Sequence, residues 1–181
     1  MSEKVDFNKP SMLICNHQSH LDLAYLLTLS PKMIFLTNDW VWNNPLYGYL
    51  IHHAEYYPVS MGIDKLMPRL ASLVSRGYSI AIFPEGTRSA DCRIGRFHRG
   101  AFYIAQQLGL DVVPMYLYGT GCVLQKGKHV IRRGRIYLEV NDPVPNEQLM
   151  TEPSLPALTR LFHHEYLSHY EQITNRLEQD A

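Results

Sequence analysis

Short apolar runs bounded by polar residues recur along the chain. The clearest are residues 11–15 (SMLIC), 33–37 (MIFLT), 79–83 (SIAIF) and 111–118 (DVVPMYLY). Runs of this length are typical of strands that are buried on both faces of a sheet. A shorter extended piece is predicted at residues 56–59.

The segments between these runs show helical spacing of their apolar positions. In residues 64–76 leucine or valine recurs every three or four positions, and Gly77 follows where a helix commonly ends on a left-handed glycine. Further helices are predicted over residues 21–29, 45–53, 100–108 and 154–178.

The order of these elements indicates the fold class. Residues 129–140 are predicted to form a hairpin that turns at Arg133 and Gly134. Strands that alternate with helices predict an α/β fold with a mostly parallel central sheet flanked by helices. In such folds the ligand sites lie in loops beyond the carboxyl ends of the strands, so the loops after residues 15 and 83 are the first candidates.

Length and composition suit one globular domain. The 181 residues are 46% hydrophobic and 19% charged, so we expect a single domain over residues 1–181. Lys and Arg together number 17, as do Asp and Glu, so the net charge is zero and gives no argument for nucleic acid. Any electrostatic role must come from local charge.

Cysteine usage and hydropathy bear on the compartment. The three cysteines, Cys15, Cys92 and Cys122, form no C-x-x-C pair, which predicts neither a disulfide framework nor a zinc site and favours a reducing compartment. No apolar stretch approaches the ~18 residues that span a bilayer. The first ten residues also lack the apolar run of a secretory signal. We expect a chain that is soluble by itself or lies on a membrane surface.

His17 and Asp22 form the first candidate site. His17 follows the strand at 11–15 directly, and Asp22 falls in the first turn of the next helix. A turn between them would bring the carboxylate back to the imidazole, which is the arrangement of a general base and the group that orients it. A structural interpretation competes, because Ser19 and Asp22 resemble a helix capping box with Asp in place of the usual Glu or Gln.

Residues 83–89 (FPEGTRS) form the second candidate site, again after a strand. Arg88 carries a planar charged fork that suits phosphate or carboxylate, and Gly86 permits close approach of the backbone. Four arginines against one acidic residue in 88–99 indicate an anionic ligand. The competing interpretation is a solvated loop in which Glu85 and Arg88 pair with each other, a contact that contributes about 0–1 kcal/mol.

The two sites together carry a family resemblance. The pattern N-H-x-x-x-x-D at 16–22, followed by F-P-E-G-T-R-S at 83–89, resembles the glycerolipid (lysophospholipid) acyltransferase family, which includes the 1-acylglycerol-3-phosphate acyltransferases. Residues 97–101 (FHRGA) resemble the family's F-K-x-G-A segment with histidine in place of lysine, and residues 113–114 its V-P element. The resemblance covers residues 11–118.

The resemblance implies an O-acyltransferase that moves a fatty acyl group from acyl-CoA or acyl-carrier protein to a hydroxyl of a lysophospholipid or related lipid. Carried over by position, His17 is the expected general base and Asp22 its partner. No acyl-enzyme, metal or cofactor beyond the thioester co-substrate is expected. The expected substrate-binding residues are Glu85, Gly86, Thr87, Arg88, Ser89, Arg96 and Arg99.

The expected partners are the acyl thioester donor, the lipid acceptor, a membrane surface and, as one form of the donor, acyl carrier protein, with no nucleic acid. The expected location is cytoplasmic, peripheral to the inner face of a membrane. Tryptophans and tyrosines in residues 40–51 suit a membrane interface or the mouth of an acyl pocket, with core packing as the competing interpretation.

Two departures from the family pattern leave alternatives open. The arginine that the family usually has between the motifs is replaced near Ser60. Phosphate recognition is then weaker, or Arg69, Arg96 or Arg99 compensates, or the acceptor is not a glycerol phosphate. Many members also carry a membrane-binding helical segment before the histidine motif, whereas 16 residues precede His17 here. The chain is therefore either a domain cut from a larger polypeptide or one that is short at its start.

Two other functions also stay open. A thioester or ester hydrolase would use His17 and Asp22 to activate water, and it would release free fatty acid without needing an acceptor. A non-catalytic lipid- or carrier-binding module would have no turnover to lose when His17 is substituted.

Overall fold

The structure is a computed structural model that describes residues 5–37, 57–58 and 61–179. These residues form one six-stranded sheet with helices packed against it. The strands are β1 (Met12–Cys15), β2 (Met33–Thr37), β3 (Tyr57–Pro58), β4 (Ser79–Ile82), β5 (Val112–Tyr118) and β6 (Tyr137–Val140). The helices are α1 (Leu21–Leu27), α2 (Ile63–Ser75), α3 (Gly100–Leu108), α4 (Thr120–Val123), α5 (Asn146–Leu149) and α6 (Leu155–Gln179).

The strand order in the sheet is β3-β2-β4-β1-β5-β6. Every neighbouring pair is parallel except β5 and β6, which are antiparallel. The predicted α/β fold with a mostly parallel sheet is therefore confirmed. Helix α3 packs against β1, α2 against β4 and α6 against β5.

Strand β1 lies at the centre of the sheet and explains where the candidate sites meet. Each of its residues is at most 1% exposed, as expected for a strand that is covered on both faces. It pairs in parallel with β4 on one side and β5 on the other, with Ile14 opposite Ile82 and Pro114. The carboxyl ends of β1 and β4 therefore lie side by side, and so do the loops that follow them.

Most of the predicted elements agree with the structure. The apolar runs at 11–15, 33–37, 79–83 and 111–118 contain β1, β2, β4 and β5. The helix predicted over 100–108 has the bounds of α3, and the extended piece at 56–59 contains β3. The helix predicted over 45–53 and the aromatic residues of 40–51 lie outside the described residues.

Helix α2 ends at a glycine, as the sequence predicts. Gly77 has φ +88°, a left-handed conformation that L side chains rarely adopt. Its N–H donates to the carbonyl of Val74 at 2.9 Å, and the N–H of Tyr78 donates to the carbonyl of Leu73 at 3.1 Å. This pair of bonds is the Schellman motif, which satisfies the last carbonyl groups of the helix.

The predicted hairpin over 129–140 is wrong. Residues 129–136 form no strand, and β6 pairs instead with β5, with Tyr137 opposite Tyr118. The side chains of Val130 and Ile131 are 68% and 69% exposed, so this segment buries no apolar face that would hold a hairpin together. Strand β5 is already part of the buried sheet and offers residues 137–140 a better partner.

Candidate active site

His17 lies just beyond the end of β1 and contacts Asp22 in the first turn of α1. Its Nδ1 atom is 2.8 Å from Oδ2 of Asp22, and the His17 side chain is 20% exposed while that of Asp22 is fully buried. A carboxylate only accepts hydrogen bonds, so Nδ1 carries the hydrogen and Nε2 is left as the atom that can accept a proton.

Asp22 also fixes the turn that carries His17. The same Oδ2 atom accepts from the backbone N–H groups of Gln18 at 2.7 Å and Ser19 at 2.9 Å. Three donors thus converge on one carboxylate oxygen. The bond from Ser19 N–H is the backbone half of a capping box, whereas the Ser19 hydroxyl donates to the carbonyl of Leu124 at 2.8 Å. Oδ2 of Asp22 therefore contacts both the start of α1 and the imidazole, so the two interpretations of this residue are compatible.

The plane of the His17 ring is set by an aromatic neighbour. Phe83, the residue that follows β4, stacks on the imidazole with ring centroids 4.0 Å apart and an angle of 10° between the planes. Phe35 in β2 stands behind Phe83, with centroids 5.8 Å apart. The stack and the bond to Asp22 together fix both the tilt and the rotation of the imidazole.

Glu85 connects the two candidate loops. It is 7% exposed, and its Oε1 atom accepts from the backbone N–H of His17 at 2.8 Å, while Oε2 accepts from the N–H of Gly95 at 2.6 Å. Burial raises the pKa of the Glu85 carboxyl, against the opposing effect of these two donors. The suggested pairing of Glu85 with Arg88 is not found, because both carboxylate oxygens of Glu85 face backbone donors.

Gly86 has φ +68°, and the ring of His98 lies 3.2 Å from the place where a Cβ at this position would stand. The Gly86 N–H donates to the carbonyl of Phe83 at 3.0 Å, which closes the turn. The loop is fastened to the histidine by Ser89, whose N–H donates to the carbonyl of His17 at 2.7 Å. Both motif loops thus form one hydrogen-bonded unit.

Arg88 is half-buried, and no carboxylate of the described residues pairs with its guanidinium. Its charge is close enough to His20 to lower the pKa of that imidazole, after the larger effect of burial. Lys126, whose role was not expected, donates to the carbonyl of Arg88 at 2.6 Å and lies 3.3 Å from the hydroxyl of Thr87. An unpaired guanidinium on a fixed loop beside the histidine motif can bind an anion.

Two tyrosines of α6, neither of them predicted as a site residue from the sequence, hold the residues on either side of His17. The N–H of Asn16 donates to the hydroxyl of Tyr166 at 2.9 Å, and the side-chain amide of Gln18 donates to the hydroxyl of Tyr170. The Tyr166 hydroxyl hydrogen lies within reach of the carbonyl of Met115 and of Oδ1 of Asn16. Burial raises the pKa of both tyrosines, so both hydroxyls keep their hydrogen.

A sequence signal for these tyrosines exists in the spacing of α6. Its buried residues recur at helical intervals, at Leu158, Phe162, Tyr166, Tyr170 and Ile173. Tyrosine in such a buried stripe needs a partner for its hydroxyl, which marks it as a polar contact rather than simple packing.

Arg96 and Arg99 lie apart from the residues around His17. They line a cavity of about 520 Å³ with residues from the start of α6, and neither residues 17–22 nor residues 84–89 contribute to its lining. The predicted site residues therefore form two groups, one around His17 and one around this cavity.

In the part of the chain that the structure describes, no group of three or more His, Cys, Asp or Glu side chains could hold a metal ion. No helix in that part is long and apolar enough to cross a bilayer.

Comparison with known proteins gives consistent matches. The model of the Acyltransferase family matches residues 1–118. The chain is 31% identical over 140 residues to the chloroplastic 1-acyl-sn-glycerol-3-phosphate acyltransferase LPAT1 of Arabidopsis thaliana, covering 75% of this chain and 39% of that protein. It is 33% identical over 143 residues to a 1-acyl-sn-glycerol-3-phosphate acyltransferase of Chlamydomonas reinhardtii, covering 76% of this chain and 43% of that protein.

Among solved structures, the 1-acyl-sn-glycerophosphate (LPA) acyltransferase PlsC from Thermotoga maritima matches with a TM-score of 0.80 at 22% identity. The match covers 96% of this chain and 70% of that chain, and it supports the same fold. The chain spans about two fifths of the length of the two curated relatives.

Proposed function

Because the chain belongs to the Acyltransferase family, whose model matches residues 1–118, we propose that it transfers a fatty acyl group from a thioester to the hydroxyl of a lipid. The donor is acyl-CoA or acyl-carrier protein. The acceptor is a lysophospholipid, in the first place a 1-acylglycerol 3-phosphate, the substrate that the names of the two curated relatives give. The observation that carries the proposal is the contact between Nδ1 of His17 and Oδ2 of Asp22.

The reaction needs a base because a hydroxyl is a poor nucleophile until its proton is removed. In the proposed mechanism the acceptor oxygen attacks the thioester carbonyl carbon while Nε2 of His17 takes the hydroxyl proton. Asp22 stabilises the imidazolium that forms. The tetrahedral intermediate then expels the thiolate, which receives the same proton from His17. The acyl group passes directly to the acceptor, without an acyl-enzyme.

The loop at 84–89 is proposed to hold the acceptor. Arg88 supports this role because its guanidinium is unpaired among the described residues and close to the histidine motif. Gly86 permits close backbone approach, and Thr87 and Ser89 keep the loop in place through Lys126 and His17. Glu85 acts by joining the two loops, since both its oxygens are occupied by backbone donors.

A thioester-release assay tests the reaction class. Palmitoyl-CoA and palmitoyl-carrier protein are each incubated with the protein, with and without lysophosphatidic acid, and the lipid product is identified by mass spectrometry. Release that depends on the acceptor and yields phosphatidic acid is the expected result. Free palmitate at the same rate without acceptor would instead indicate a hydrolase, and no release with either donor would contradict the proposal.

Substitution of Arg88 tests the acceptor site. We expect Arg88→Ala to raise the KM for lysophosphatidic acid about tenfold, with a smaller change in kcat, because a charge-assisted contact to the phosphate is lost. Arg93→Ala is the matched control, since that side chain is 87% exposed and lies a few residues after the loop at 84–89. An unchanged acceptor KM in Arg88→Ala would rule out the anion-binding role.

A further inference from the structure

A basic cavity lies between the segment before α3 and the first turns of α6. Its volume of about 520 Å³ falls in the range of small-molecule sites. Its polar lining comes from Arg96, His98, Arg99, Thr159, Arg160 and His163. Arg160 belongs to a helix beyond the part of the chain that the family model matches.

The charge of this cavity has one sign. Arg96, Arg99 and Arg160 contribute three guanidinium groups, and among the residues that the structure describes no carboxylate lines the cavity. Within the described ranges none of the three has an ion pair or a hydrogen bond from its side chain. In a chain whose net charge is zero, three unpaired arginines around one concave surface create a local positive potential that favours an anion.

The walls of the cavity are held by contacts that do not involve the arginines. Phe97 is 3% exposed and packs edge-on against His163 and Tyr166, with ring centroids 5.0 and 5.1 Å away. A ring nitrogen of His163 lies 2.9 Å from the carbonyl of Gly95. The segment that carries Arg96 and Arg99 is thus fixed to α6, so the arginines project from a rigid frame.

The beginning of α3 adds to the same potential. Arg99 is the N-cap residue of this nine-residue helix, and its side chain makes no capping hydrogen bond to the first N–H groups. Uncapped N–H groups and the positive end of the helix dipole favour a negative group nearby. This feature supplements the three arginines and would not define a site without them.

We propose that this cavity is a phosphate-binding site, with Arg160 as the member that no motif reveals. Arginine is the side chain best suited to phosphate, because its planar fork can donate two parallel hydrogen bonds. The ligand is a phosphomonoester on a small molecule. Under the proposed function, two substrates carry that group: the CoA part of the donor, and the lysophosphatidic acid acceptor, whose single phosphate would then be held here instead of by Arg88. The choice between these ligands rests on the proposed function, whereas the site itself does not.

Residue-resolved labelling of arginine tests the site directly. The full chain is treated with phenylglyoxal in the presence of lysophosphatidic acid, coenzyme A, inorganic phosphate or no addition, and modification is quantified by peptide mass spectrometry. We expect Arg96, Arg99 and Arg160 to be protected together by at least one of the two substrates. Exposed Arg133, which lies outside the cavity, should react at an unchanged rate. Protection by lysophosphatidic acid alone would assign the acceptor, and protection by coenzyme A would assign the donor.

A variant measures the contribution of Arg160. We expect Arg160→Gln to raise the concentration of the protecting ligand needed for half-protection of Arg99 about tenfold, as loss of one charge-assisted contact predicts. Arg133→Gln should leave that concentration unchanged. Equal labelling of Arg160 with and without every phosphate ligand would overturn the proposal, even if acyl transfer is observed. Protection of Arg160 without any acyl transfer would instead overturn the proposed function and leave the phosphate site standing.

Discussion

At the scale of single residues, the position of the His17 ring is set from three sides. Asp22 accepts from Nδ1, Phe83 stacks on the ring face, and Glu85 and Ser89 hold the backbone. A base is effective only if its free nitrogen points to the place where the proton is released. The contacts leave Nε2 as that nitrogen.

Asp22→Asn tests the charge of the carboxylate. The amide oxygen can take the place of Oδ2 and still accept from Nδ1 of His17 and from the N–H groups of Gln18 and Ser19, so the ring keeps its orientation while the negative charge that stabilises the imidazolium is lost. We expect kcat for acyl transfer to fall about 10²-fold, the lower end of the contribution of general base catalysis. Initial rates of thiol release measure it, with Asp91→Asn in the exposed loop as control. Activity within threefold of wild type would show that Asp22 serves only the helix start.

The buried carboxyl of Glu85 predicts how the stability of the fold depends on pH. Burial raises the pKa of its carboxyl above the ordinary value of 4.5. At pH values between 4.5 and the raised pKa, the carboxyl of the folded chain keeps a proton that the same carboxyl of the unfolded chain has lost. The free energy of unfolding therefore falls as pH rises through this window. We expect wild type to lose stability relative to Glu85→Gln between pH 4.5 and neutral pH, as measured by urea unfolding. A gain in relative stability over that window would mean that the carboxyl pKa is lowered instead.

The pairing of His17 with Asp22 could be predicted from sequence because both residues belong to one turn and their spacing alone limits the geometry. The backbone partners of Glu85 could not. Its two donors belong to His17 and Gly95, and 68 residues separate Glu85 from His17. A buried carboxylate can accept from any N–H nearby, and the sequence does not say which ones folding brings close.

At the scale of elements, α6 does more than cover the sheet. Tyr166 and Tyr170 stand one turn apart and contact the residues before and after His17. The contact between Asn16 and Tyr166 joins residues 150 positions apart. Helical periodicity predicted that α6 exists and which of its positions are buried, but it carries no information on which loop a buried hydroxyl meets.

Tyr166→Phe tests this support. The change keeps the ring but removes the hydroxyl that accepts from Asn16 N–H, which leaves a buried donor unsatisfied. We expect a loss of about 1–3 kcal/mol in the free energy of unfolding and a lower kcat with little change in either KM. Tyr103→Phe is the control, because that side chain is 37% exposed. A variant that is destabilised but keeps the wild-type kcat would limit Tyr166 to a structural role.

The wrong hairpin has a cause at the same scale. An alternating pattern predicts a strand at 137–140 whatever its partner, and the preceding residues 129–136 are the nearest partner along the chain. The structure pairs β6 with β5 instead. The side chains of Val130 and Ile131 are exposed, so residues 129–136 bury no apolar surface that would stabilise a hairpin.

At the scale of the whole molecule, the parallel sheet is what joins the two motifs. Strands β1 and β4 are neighbours in space although α1, β2, β3 and α2 lie between them in sequence. Alternation of strands and helices predicted the sheet type but not the strand order, so the meeting of the two loops followed only from the family resemblance. The basic cavity depends even more on folding, because Arg160 is remote in sequence from Arg96 and Arg99.

The most direct test of the account is acceptor-dependent thioester release by His17→Ala. Wild type, His17→Ala and the control His164→Ala, which changes an exposed histidine of α6, are compared with the donor and acceptor that wild type uses. Circular dichroism checks that each protein is folded. We predict that His17→Ala loses at least about 100-fold in rate, the typical contribution of a general base, while His164→Ala keeps the wild-type rate. A folded His17→Ala protein that transfers the acyl group within a few fold of wild type would contradict the mechanism.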